Sequence, residues 1–177
     1  MGDEMFMAII TPHREQTKAM WEKRLPEIKL RGIESLIPSL PIDLIESDIG
    51  IFVAVYEDKH KLDYTHIRCA IADYRQDGDG TITSVGYGDD NFSLYGNDES
   101  LCFDPVSPVC PLQPKLYADS GGAIFGSIAV LGKLDRKGDT PPLSYEELKS
   151  FCTKSILRHC VWAKPAVSAA DQPFASR

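Results

Sequence analysis

Four histidines, five cysteines and one run of alternating carboxylates carry most of the chemistry this chain could perform. Asp77-Gly78-Asp79-Gly80 offers hard oxygen donors of the kind that a divalent cation takes. His66 and Cys69 lie three positions apart, which on an extended strand sends them to opposite faces and argues against a dyad. Cys152 and His159 share a helix face, but at about two turns, roughly 10 Å, they are too far apart for a direct hydrogen bond. His159 therefore reads as a buried, satisfied side chain, and His13 and His60 read as surface groups. The cysteines, Cys69, Cys102, Cys110, Cys152 and Cys160, are odd in number and contain no Cys-x-x-Cys pair. Free thiols in a reducing compartment are expected, with neither zinc nor a disulfide.

Two motifs resemble known sites. Asp77–Thr83 is similar to the middle of an EF-hand calcium loop. With Gly80 at the turn glycine, however, the first ligand would be Arg75 and the closing carboxylate Gly86, so both end ligands are missing. A solvated turn is the simpler reading, and whether the acidic stretch Asp73–Asp90 binds a cation stays open. Asp119-Ser120-Gly121-Gly122 resembles the nucleophile segment of chymotrypsin-like serine proteases. That resemblance would make Ser120 the nucleophile, with His60 or His66 and Asp73, Asp89 or Asp90 completing the triad. Ala118 stands where the family has the glycine that supplies an oxyanion amide, and the chain has too little strand for two barrels. The alternative is that Ser120-Gly121-Gly122 turns the chain into a strand.

The elements that must position these groups follow from composition and pattern. The chain is 177 residues long, 43% apolar and 25% charged, as in folded domains, and is long enough to bury a core without metal or disulfide. Lys plus Arg number 19 against 26 Asp plus Glu, and the net charge of -7 disfavours nucleic acid and anionic membranes as partners. No run reaches the roughly 20 apolar residues of a membrane span. Met5–Ile10 is too short and too acidic in its flank for a signal peptide, so a cytoplasmic location is expected.

Residues 1–11 read as an N-terminal extension, 12–164 as one domain and 165–177 as a tail. Thr11-Pro12 opens a helix to about Arg24, and Ile33, Leu36 and Ile37 suggest a second before Pro38. Ile49–Tyr56, apolar at both parities, predicts a strand covered on both faces. A polar connection at Glu57–Lys61, a strand over Thr65–Tyr74, a turn at Gln76–Gly80 and a strand over Thr81–Tyr87 would make a meander. Gly88–Pro114 reads as a long loop, and Ala123–Leu131 as a second buried strand in which Gly126 permits close approach. After a polar loop, Ser144-Tyr145-Glu146-Glu147 is a capping box. It opens a helix whose core stripe is Leu148, Phe151, Cys152, Ile156, His159 and Cys160 and which Pro165 ends. The expected fold is α+β, a mainly antiparallel sheet packed by N- and C-terminal helices.

Lys115–Ala118, Ile124–Leu131, Asp135-Arg136 and Leu143–Leu148 together resemble the closing half of a GAF domain, over residues 115–160. The resemblance implies helices on one side of the sheet and a small-molecule pocket on the other, roofed by Gly88–Pro114. Phe92, Tyr95, Phe103 and Tyr117 then become candidate ligand-binding aromatics. Equally, they could anchor the loop to the core. The cysteines fit no chromophore or redox motif, and no cofactor is named. The leading expectation is a domain that binds a small molecule or a protein and lacks recognisable catalytic machinery. Its rivals are a serine hydrolase using Ser120 and an acidic inhibitor or immunity-type protein.

Overall fold

Met5-Phe6-Met7-Ala8-Ile9-Ile10-Thr11 has no polar face, and a strand of that kind is stable only where both faces are covered. In the computed structural model, which describes residues 4–37, 50–56 and 62–163, it forms β1 (Met5–Thr11) in the interior of a six-stranded antiparallel sheet. The other strands are β2 (Lys29–Gly32), β3 (Gly50–Tyr56), β4 (Ile82–Val85), β5 (Phe92–Asn97) and β7 (Ile128–Gly132), in the order β2-β3-β1-β7-β5-β4. β6 (Leu112–Pro114) and β8 (Cys160–Trp162) form a separate antiparallel pair. The α+β antiparallel expectation holds.

Side-chain alternation divides the core into two. Phe6, Ala8 and Ile10 join Leu94, Ile128 and Val130 on one face, under Leu148, Phe151, Cys152 and Ile156 of the terminal helix. Met7, Ile9, Ala129 and Leu131 face the other way, toward Trp21 of α1 (Arg14–Arg24) and Ile67, Ala70 and Ile71 of α2 (Tyr64–Ile71). Helices thus cover both faces, where the GAF resemblance implies one. At the end of β1 the buried Thr11 hydroxyl ties three elements: it bonds Thr17 of α1 at 2.8 Å and accepts from Ser127 at 2.8 Å and from the His13 amide at 3.1 Å.

The terminal helix begins where the capping box predicts. Glu147 N donates to Ser144 Oγ at 3.2 Å, and Ser144 N donates to Glu147 Oε1 at 3.0 Å. Leu143, just before the cap, exchanges backbone bonds of 2.8 and 2.6 Å with Phe6, so the helix start is fixed to β1. α4 (Tyr145–Ser150) passes through a π-helical turn, Phe151–Ser155, into α5 (Ile156–His159). The helix stops at His159, ahead of Pro165, because Cys160 turns the chain into β8.

Several expected elements differ. Residues 5–11 are no extension. The helix expected at Ile33–Ile37 is a single 3-10 turn (Ile33–Ser35) after β2, since the open edge of β3 satisfies the backbone of Lys29–Gly32. The strand expected over Thr65–Tyr74 is instead α2, which ends at Ile71: Asp63 Oδ1 accepts from His66 N at 3.2 Å, and Ile67, Ala70 and Ile71 have helical spacing. β4 accordingly pairs with β5, which lies inside the expected loop Gly88–Pro114, as does β6. The strand expected from Ala123 starts only at Ile128, because Gly126 has φ +80° and a Cβ there would stand 2.8 Å from Ser100 Oγ. Glu57–Lys61, Pro38 and the tail 165–177 lie outside the described residues.

The loop before β6 is clamped through Asp73. Its carboxylate takes a two-pronged ion pair from Arg75 (2.9 and 2.9 Å), the Arg75 amide at 2.9 Å and the Ser107 hydroxyl at 2.6 Å. Burial acts to raise the Asp73 pKa, yet these donors lower it from 3.8 to about 2. A depressed acid stabilises the fold above its unfolded pKa and loses that contribution as pH falls through the folded value. We expect Asp73→Asn to cost about 2 kcal/mol at neutral pH. In urea titrations the gap to wild type should stay level down to about pH 4 and close between about pH 4 and pH 2.

Candidate functional site

The core stripe of the terminal helix leaves its other side to polar residues. Glu147, Ser150, Lys154 and Arg158 follow one another at steps of three, four and four, so they share a face. Asp89 and Asn91 of the loop leading into β5, Phe92 at its start and Lys133, just past β7, stand across from that face. Between them lies an open cleft of about 570 Å³, within the size range of small-molecule sites. Lys133, Lys154 and Arg158 supply positive charge, while Asp89, Glu146 and Glu147 supply an equal number of carboxylates. Phe92 is the one aromatic in the lining, set edge-on to Phe151 with ring centres 5.2 Å apart.

The floor is a hydroxyl relay on the π-helical turn. Ser155 is buried and lies 2.8 Å from the hydroxyl of Tyr87, also buried. Asp89 is held below the ordinary carboxylate range: burial opposes ionisation, but the Asn91 amide, the Ser155 hydroxyl, the Asn91 side chain and the nearby His159 outweigh it. In the Tyr87–Ser155 bond either hydroxyl can be the donor. Burial raises the Tyr87 phenol above 10, which keeps it protonated. π-helical turns occur often at functional sites, because the extra residue in the turn displaces side chains that a regular helix would align. His159 lies beside the relay, its ring 5.9 Å from that of Tyr87.

The four aromatics expected to share a ligand do not converge. Phe92 lines the cleft. Tyr95, three residues along β5, faces the opposite side of the sheet and reaches Thr140 at 3.5 Å. Phe103 stacks under the Arg75 guanidinium at 5.3 Å, so it belongs to the Asp73 clamp. Tyr117 sits on α3 (Lys115–Asp119) and lines a separate groove beside β4. The sequence reading named Asp89 only as a possible triad or cation-site carboxylate and did not single out Lys133, Lys154, Ser155 or Arg158; for Lys154 and Arg158 the signal was the polar stripe opposite the core residues of the last helix.

Ser120 is exposed and donates its hydroxyl to the Tyr117 carbonyl at 3.1 Å. The following amides, of Gly121 and Gly122, donate to the carbonyls of Ala118 and Tyr117, so they are engaged in a turn. Around the acidic turn, the Gly78 and Gln76 carbonyls accept from Arg24 at 2.6 and 2.8 Å, and Asp79 lies 3.8 Å from the same guanidinium. A cation is thus already docked there, in the form of a side chain. Among the described residues no cluster of three or more His, Cys, Asp or Glu could hold a metal. All five cysteines are free; burial raises the thiol of Cys69 to about 11 and those of Cys110, Cys152 and Cys160 to about 12, which leaves them poor nucleophiles. No described helix is long and apolar enough to cross a membrane.

No family model, curated protein or solved structure matches this chain. The site has to be judged on its own geometry. Ser155→Ala strands the buried Tyr87 hydroxyl and is expected to cost about 1–3 kcal/mol in chemical denaturation. The double variant Tyr87→Phe/Ser155→Ala should cost clearly less than the sum of the two single changes, and strict additivity would show that the pair is not coupled.

Proposed function

We propose that this chain is a small-molecule-binding domain, and that the cleft between the terminal helix and the start of β5 is its ligand site. The observation that carries this reading is the combination of three cations with an aromatic wall above a hydroxyl relay whose members are fixed by one another. Lys133, Lys154 and Arg158 suit an anionic group such as a phosphate or carboxylate, and Phe92 suits an apolar or aromatic body beside it. Asp89 and the glutamates opposite suit a hydroxyl or amine on the same molecule.

A GAF-like role as a ligand-sensing module is consistent with this proposal, although the cleft involves only the beginning of the stretch expected to form a roof. Four buried thiols and one exposed thiol, Cys102, all free, favour a reducing cytoplasmic setting. The engaged hydroxyl and amides around Ser120 offer nothing in favour of hydrolysis.

Thermal unfolding with phenyl phosphate, phenylalanine, citrate and inorganic phosphate tests the reading. A ligand at a hundred times its dissociation constant should raise the melting temperature by roughly 5–10 °C. Lys154→Glu/Arg158→Glu should keep the fold and abolish the rise. A rise that survives this charge reversal, or no rise with any of the four probes, would remove the cleft as the site.

A further inference from the structure

The two edges of the six-stranded sheet are treated differently. β2, at one edge, carries Lys29 and Arg31 within four residues, the kind of charge that discourages pairing with another chain. β4, at the other edge, reads Ile82-Thr83-Ser84-Val85 between Thr81 and Gly86, with no charge and no proline. No described strand pairs with its outer side.

The register shows which backbone groups face outward. Asp98 N donates to Thr81 O at 2.8 Å, and Ile82 stands opposite Asn97. Thr81 and Asp98 therefore form a hydrogen-bonded pair, and alternation makes Thr83–Gly96 and Val85–Leu94 the next two. Ile82 and Ser84 lie at the intervening positions, so their N–H and C=O groups point to the open edge.

A groove of about 240 Å³ runs beside this edge on the face toward which Val85 points. Its apolar wall includes Leu101, Tyr117, Ile124 and Phe125, and Leu101 is 62% exposed. The one charged residue in the lining is Asp98. Glu99 accepts from Thr81 Oγ1 at 3.2 Å, at the start of the same strand, and Asp119 is exposed two positions beyond Tyr117. The groove thus lies beside outward backbone groups, offers an apolar trough for alternate side chains, and carries as its one charge the carboxylate of Asp98, with Glu99 next to it.

We propose that β4 is a docking edge for an extended, basic peptide of a partner protein, which adds as a seventh strand. Alternate apolar side chains of the peptide enter the trough, and its lysines or arginines lie near Asp98, Glu99 and Asp119. This interaction is separate from the ligand cleft and stands or falls independently of it.

The test uses an alternating lysine–valine hexapeptide and its glutamate–valine counterpart. The lysine peptide should bind, lose affinity as NaCl rises from about 0.05 to about 0.5 M, and protect the amides of Ile82 and Ser84 from hydrogen exchange. Thr83 and Val85, already in the ladder, should change little. Ser84→Pro removes one outward donor without removing a bond to β5 and should weaken binding about tenfold, while Ser84→Ala should not. Should Ser84→Pro fail to fold, Asp98→Lys provides the same decision, with an expected loss of several-fold. Equal binding of the acidic peptide, no binding of the basic one, or protection away from Ile82 and Ser84 would each overturn the proposal. So would concentration-dependent self-association protecting those same amides, which would assign the edge to a second copy of this chain.

Discussion

Everything in this fold leans on the burial of β1. Phe6 through Ile10 are at most 2% exposed, and the strand has a neighbour on both edges as well as helices over both faces. A backbone so enclosed must satisfy every donor and acceptor inside the protein. It does so against β3 over Met5–Thr11, against β7 over Ala8–Ile10, and against Leu143 at Phe6. The last contact matters beyond the sheet, because the residue after Leu143 caps the terminal helix.

The proposed ligand cleft depends on that attachment. With its first turn held at Phe6, the terminal helix must lay Leu148, Phe151, Cys152 and Ile156 onto the sheet in sequence. Relative to Leu148, Phe151, Cys152, Ser155 and Ile156 fall at i+3, i+4, i+7 and i+8, the positions that share one helix face. Ser155 is buried toward the Tyr87 hydroxyl and Ile156 toward apolar neighbours, so one short segment supplies both the polar edge of the cleft and part of the core.

Where the sequence was legible, one physical signal dominated the local choice. The capping box at Ser144 is local chemistry and needs no tertiary information, and Gly50–Tyr56 announces itself by apolar residues at both parities. β1 carries the same signal as β3, but beside the chain start it was taken for a prelude to the fold. α2 is only eight residues long, and Ile67, Cys69 and Ile71 satisfy a period of two while Ile67, Ala70 and Ile71 satisfy a helical one. Its Asp63–His66 cap breaks the tie, through a histidine where glutamate or glutamine is usual. β5, Phe-Ser-Leu-Tyr-Gly-Asn, has weak strand propensity and exists because β4 and β7 supply its bonds. Of the candidate aromatics only Phe92 reaches the cleft. The group came from the GAF resemblance, with Phe92 and Tyr95 in an expected loop, and because Phe92–Asn97 is a strand those two part to opposite faces.

Charge is distributed as deliberately as apolar surface. The net charge of -7 would suggest a uniformly acidic exterior. Instead the cleft pairs three cations with three carboxylates, the β2 edge is basic, and the border of the β4 groove is acidic. Local fields of this kind act within about a Debye length, roughly 8–10 Å, so each region acts on a nearby charge largely independently of the chain's total. The Arg24 guanidinium on the Gln76–Asp79 turn follows the same rule: it compensates the most acidic bend at the bend itself. Asp98 and Glu99 beside β4 mark where the proposed basic peptide would be attracted. That site coincides with the one sheet edge lacking a charge of its own.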